Sequence, residues 1–188
     1  MKNLILGVSG GIAAYKSCDL IIGLKNIGYD VRVIMTENAK QFITPLSLAT
    51  LSTHPVMEDM WAERDGKVEH IDIAKWADVF VVYPCTINLM AKFANGIADD
   101  LLSTVYLALP NNVVKIVFPS ANTNMYEHPA SYRNIHQLIN DKVYVSATRV
   151  TKLACGDIGQ GAALKPRDAI DFIGEMIERK KMIKEDAL

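Results

Sequence analysis

Apolar positions in this chain fall into short unbroken runs separated by amphipathic stretches, and that alternation predicts most of its elements. Asn3–Val8, Tyr29–Met35, Asp78–Tyr83, Val113–Phe118 and Lys142–Val145 are brief, largely apolar and rich in β-branched residues, as strands covered on both faces are. Between them apolar residues recur at helical spacing in Ile12–Ile27, in Ile71–Ala77, in Leu101–Leu109 and in Ser131–Ile139. A last helix begins at Pro166, where Ile170, Ile173 and Ile177 form a packing stripe. Strand and helix alternating in this way predict an open parallel α/β sheet with helices on both faces. Two stretches do not follow the pattern. Residues 45–69 read as irregular, punctuated by Pro45, Pro55 and Gly66, with Trp61 as a packing anchor, and residues 146–165 read as one long loop.

Composition narrows the class. At 188 residues and 50% hydrophobic content the chain is expected to be one domain with a substantial core. A formal charge of −1 gives no long-range attraction to nucleic acid or to an anionic membrane, although a local anion site fits within a near-neutral whole. Cys18, Cys85 and Cys155 are widely spaced and include no Cys-x-x-Cys pair or zinc-ligand spacing, so no metal is expected, and a reduced, cytoplasmic protein is. The first strand-like run, broken by Gly7, is too short for a signal peptide or a membrane span.

The candidate chemistry gathers at strand ends. Pro119 stops the fourth run and is followed by Ser120, Ala121, Asn122, Thr123 and Asn124, at the carboxyl end where open α/β sheets place their ligands. The same residues also suit a turn and a helix N-cap. After the first run, Ser9-Gly10-Gly11 leads into a helix, a turn that aims backbone N–H groups at a phosphate. The full dinucleotide fingerprint and its acidic residue are missing, which favours a mononucleotide-like phosphate over NAD. Thr36 is an N-cap, or a phosphate ligand if it lies beside that turn. Pro84, Cys85, Thr86 and Ile87 end the third run in the same small, polar manner, and Ser103 and Thr104 are either surface hydroxyls or ligand contacts. His70 reads as a helix cap or as a catalytic group, and Cys155 sits among Gly156, Gly159 and Gly161, where a thiol can move and react.

Taken in order, these pieces resemble the homo-oligomeric flavin-containing cysteine decarboxylases nearly end to end. The resemblance is carried by Gly7-Val-Ser-Gly-Gly-Ile-Ala-Ala-Tyr-Lys, Thr44-Pro-Leu-Ser-Leu, His70-Ile-Asp-Ile-Ala-Lys-Trp-Ala-Asp and Ala154-Cys-Gly-Asp-Ile-Gly. The family's Pro-x-Met-Asn-x-x-Met-Trp motif stands here as Pro119-Ser-Ala-Asn-Thr-Asn-Met-Tyr, with Ala121 for Met and Tyr126 for Trp. The Ala121 exchange removes volume beside the expected ligands.

The resemblance implies a Rossmann-like (flavodoxin-like) fold that binds FMN at Gly10, Gly11, Thr36, Pro84, Cys85, Thr86, Ile87, Ser103 and Ser120. It implies His70 as base or proton relay, Asn122 as carboxylate holder, and Asn122, Met125 and Ala154 as substrate contacts. Residues 146–161 would be a clamp that delivers Cys155 as proton donor. The segment around Cys155 points to the coenzyme A branch, in which a phosphorylated pantothenoylcysteine loses CO2 and is then reduced. A trimer, or a dodecamer assembled from trimers, with flavin and substrate between protomers is implied too. So is a separate ligase, the chain ending at Leu188. Two rivals share the cofactor: a peptidyl-cysteine decarboxylase of lantibiotic maturation, which would need no Cys155, and a non-catalytic FMN-binding regulatory subunit.

Overall fold

β1 (Lys2–Val8) is the strand around which the sheet is built, because its apolar side chains alternate between two cores: Leu4, Leu6 and Val8 enter one, Ile5 the other. β2 (Tyr29–Met35) and β3 (Val79–Cys85) flank it in parallel, so that Gly7 lies beside both Ile34 and Val82. β4 (Val114–Pro119) and the short β5 (Tyr144–Val145) complete the order β2-β1-β3-β4-β5. This is the flavodoxin-like arrangement, and the reversal of winding between β1 and β3 opens a crevice at the strands' carboxyl ends. The structure, a computed structural model, describes residues 2–61 and 69–185, so Gly66 lies outside the described residues.

The helices are α1 (Ser17–Asn26), α2 (Pro45–Ser52), α3 (Glu69–Trp76), α4 (Ile87–Asn95), α5 (Leu101–Ala108), α6 (Thr123–Tyr126), α7 (Pro129–Asn140) and α8 (Pro166–Glu185). α1, α2 and α8 cover one face of the sheet through Leu20, Ile21, Leu24, Leu48, Ile173 and Ile177. α3, α4, α5 and α7 cover the other. There Phe93 stacks on Tyr106 at 4.0 Å, with Phe80 edge-on to Phe93 at 6.1 Å. The expected stripe on α8 holds: Ile173 and Ile177 are buried, and Ile170 lies so close to Gly23 of α1 that a Cβ there would collide. No helix among the described residues is long and apolar enough to cross a membrane.

The departures have local causes. The expected helix at 12–27 begins as a tight 3₁₀ turn, Ile12–Lys16, before continuing as α1, a common opening for a helix. The stretch expected to be irregular contains α2: Pro45 sits in its first turn and the Thr44 hydroxyl accepts from the Ser47 N–H at 3.3 Å. Met57 then pairs alongside Ile34, covering the free edge of β2. Trp61 is 80% exposed and so is not a packing anchor among the described residues. α4 follows β3 directly, where only a strand end was expected. The expected long loop contains an antiparallel hairpin, β6 (Arg149–Lys152) and β7 (Ile158–Ala162).

Candidate functional site

The crevice forms a cavity of about 810 Å3. Its floor is the end of β1, where Ser9 is almost fully buried and ties β1 to β3: its hydroxyl donates to the Pro84 carbonyl at 2.8 Å and accepts from the Thr86 N–H at 3.0 Å. At Gly10 the chain passes so near Asn38 that a Cβ would meet the Asn38 Cβ at 2.5 Å and its carbonyl carbon at 2.7 Å, so only glycine fits. Gly11 then opens the Ile12–Lys16 turn without any side-chain cap, which leaves its first backbone donors for a ligand. Thr36, which follows the end of β2 and lines the cavity with this turn, stands at an N-cap position but does not cap. Its Oγ1 is buried without a hydrogen-bond partner among the described residues. Burying such a group unpaired costs about 1–3 kcal/mol. An orphaned hydroxyl next to an uncapped glycine turn fits a phosphate monoester.

Across the crevice, Thr86 caps α4 through the Leu89 N–H at 3.3 Å, and Thr86, Ile87 and Ser120 line the cavity. Asn122 caps a helix and also reaches the hairpin. Its Oδ1 accepts from the Asn124 N–H at 2.9 Å, capping α6, while its Nδ2 donates to Cys155 Sγ at 3.3 Å. Cys155 is exposed at the hairpin tip, where its thiol also donates to Asp157 Oδ2 at 3.4 Å. The hairpin is held against the β4–α6 connection by one backbone bond, Ala121 N–H to the Gly161 carbonyl at 2.9 Å. Gly159 lies against Thr123 and Gly161, at φ +140, against the Ala121 carbonyl, both too close for a side chain. Met125 and Ala154 line the same mouth.

Four expected site residues are not brought to the cavity within one chain. His70 lies in the first turn of α3, away from the lining. Ser103 is fully buried, its hydroxyl donating to the Asp100 carbonyl at 3.0 Å and accepting from the Asp100 N–H at 3.2 Å. Pro84 acts through its carbonyl on Ser9, and Cys85 faces the core, where burial pushes its thiol far up. Sequence reading named Ser9 only as part of the glycine turn and gave no site role to Asn38, Lys16 or Arg149, all four of which line the cavity. Ser9 was visible as a hydroxyl at a strand end; the two cations carry no local signal. Lys92 and Asp100 also flank the cavity, paired at 2.7 Å. Burial pushes the Asp100 carboxyl up, but Lys92 and the Ser103 N–H outweigh it and hold the group below its ordinary range.

Known proteins resemble the chain over most of its length. A family model described as Flavoprotein matches residues 1–178. The Streptococcus mutans protein named "Probable phosphopantothenoylcysteine decarboxylase" is 45% identical over 177 residues, 94% of this chain and 99% of that protein. The Bacillus subtilis "Coenzyme A biosynthesis bifunctional protein CoaBC" is 44% identical over 170 residues, 90% of this chain but 41% of that protein, so the chain spans about two-fifths of such bifunctional relatives. Among solved structures, a PPC decarboxylase mutant complexed with pantothenoylaminoethenethiol aligns with a TM-score of 0.84 at 28% identity, covering 94% of this chain and 98% of that one. The epidermin biosynthesis protein EpiD from Staphylococcus aureus aligns with a TM-score of 0.79 at 26% identity, covering 92% and 100%.

Proposed function

This chain belongs to the flavoprotein family, and from that membership we propose that it is an FMN-dependent decarboxylase converting 4′-phospho-N-pantothenoylcysteine to 4′-phosphopantetheine in coenzyme A biosynthesis. The observation that carries the reading is the meeting of Asn122 and Cys155, 3.3 Å apart, over a cavity suited to a phosphate at its far end. The Thr36 hydroxyl and the Gly10-Gly11 turn would hold the FMN phosphate, with Thr86, Ile87 and Ser120 beside the ring. Bound there, the flavin would supply a reversible two-electron acceptor for the sulfur-bearing carbon, the electron sink that departure of the carboxylate as CO2 requires.

The chain's own groups account for the rest. A base is needed for the substrate thiol proton, and His70 has the right chemistry. Because His70 lies outside its own chain's cavity, it would act in a neighbouring copy, within a trimer or a dodecamer assembled from trimers. Ile12 and Tyr15 line the cavity yet remain 59% and 56% exposed, as residues covered by a ring or a second protomer would be. The Asn122 amide holds the departing carboxylate, with Met125 and Ala154 at the substrate's flanks. Cys155, delivered by residues 146–161 as a clamp, gives its thiol proton to carbon as the saturated product forms. Three unpaired cysteines support a reducing, cytoplasmic setting. Mixing the flavin-loaded protein anaerobically with phosphopantothenoylcysteine is expected to bleach and then restore the flavin colour, with CO2 and phosphopantetheine as products. A yellow protein that releases no CO2 would end this reading.

A further inference from the structure

Lys16 and Arg149 line the same cavity as Thr36, with Lys152 nearby on the hairpin. Lys16 closes the 3₁₀ turn that Gly11 opens, and at roughly 2 Å of rise per residue its backbone lies about 10 Å from the glycine end. The Arg149 Nε donates to the Ala163 carbonyl at 2.9 Å, which fixes the guanidinium at the root of the hairpin and leaves its terminal amino groups for a forked contact. Among the described residues no carboxylate pairs with Lys16, Arg149, Lys152 or Lys165, whereas Lys40, Lys92 and Lys181 each have a carboxylate within 2.8 Å. Burial, then the Arg149 and Lys165 charges, hold the Lys16 ammonium below its ordinary range. These cations repel one another in the absence of a ligand, and an anion would relieve them.

We propose that Lys16 and Arg149, flanked by Lys165, form a second anion station of the cavity, which takes the phosphate monoester of the substrate while the Thr36 cradle takes that of the flavin. The proposal rests on the phosphorylated-substrate reading above. A phosphate monoester carries about −1.5 to −2 at neutral pH, and a single orphaned hydroxyl with one glycine turn has counter-charge for neither of two such groups. The station therefore separates the phosphorylated substrate from its unphosphorylated analogue.

The test is calorimetric binding of 4′-phosphopantothenate and of pantothenate to the flavin-loaded protein, to Arg149→Gln and Lys16→Gln, and to the charge-retaining Lys16→Arg. The wild type is expected to bind the phosphorylated ligand about tenfold to hundredfold more tightly. Each Gln variant loses most of that ratio with flavin content per chain maintained, and Lys16→Arg keeps it. An unchanged ratio in both Gln variants overturns the proposal. So does a fall in flavin content with the ratio intact, which assigns the cations to the cofactor's phosphate. Equal loss in Lys16→Arg and Lys16→Gln also overturns it, since charge is then not what matters. If the ratio behaves as expected but no cysteine adduct releases CO2, the station stands and the decarboxylase reading falls.

Discussion

The phosphate-suited cradle and the hairpin facing it share one cavity, yet they are held by opposite means. At the cradle, Ser9 is 1% exposed and bonds two strand ends together, and Gly10 admits no side chain beside Asn38. On the hairpin, Val150 and Ile158 are 70% and 79% exposed, and among the described residues it meets the β4–α6 connection through one backbone bond, the Asn122–Cys155 side-chain contact and two close glycine approaches. Rigid placement suits a cofactor that stays; light attachment suits a segment that must admit and release a substrate. The contrast teaches that burial, rather than polarity, separates the two functions of the cavity.

Removing the hairpin's chemistry should have the largest effect. Cys155→Ser is expected to slow formation of the saturated product about a hundredfold or more, the range for a lost proton donor, while CO2 release and flavin content persist. Product masses and trapped CO2 read this directly, and wild-type product formation would leave the hairpin no chemical part. Breaking the cradle comes next. Gly10→Val forces side-chain atoms into Asn38, an overpacking of about 1–3 kcal/mol, and should strip the protein of visible flavin colour.

Thr36→Val sharpens the comparison further. It removes a hydroxyl that has no partner among the described residues, so flavin affinity should fall about tenfold without lowering the melting temperature of the flavin-free chain. A drop in that temperature would mean the hydroxyl serves the fold instead. The smallest effect is expected at the hairpin's exit, where the buried Tyr83 hydroxyl donates to the Leu164 carbonyl at 2.7 Å. Tyr83→Phe should cost about 1 kcal/mol at neutral pH. Burial, partly offset by Arg149, pushes this phenol from its ordinary 10.0 up to about 12. Between those values the unfolded chain releases the proton while the folded one keeps it, so stability falls as pH rises. Denaturation of the Phe variant should show a shallower alkaline decline, not a flat one, because the Tyr106 phenol is also raised to about 12.

How much could be read without coordinates follows the same division. The five strands were legible because both of their faces are apolar, and the helix starting at Pro166 because its isoleucines recur three and four residues apart. α2 was missed because Pro45 was read as a break when it is a first-turn residue. The hairpin was missed because its inward positions are Arg149, Thr151, Gly159 and Gly161 while Val150 and Ile158 face outward, so no apolar alternation marks its covered side. At the site, Gly10, Thr36, Thr86, Ser120 and Asn122 stood out as small polar residues at strand ends and do line the cavity. Ser103 stood out for the same reason, yet its hydroxyl belongs to a capping box. Lys16 and Arg149 are far apart in sequence and meet only through the fold, so no local pattern marks them.

Because β7 is fastened through glycines and main-chain atoms, few of the hairpin's own side chains are needed to keep it in place. Its tip could be exchanged like a cassette, grafted from one relative to another, while the sheet beneath kept its architecture. Which molecule is gripped and which prosthetic group is housed would then be free to diverge independently.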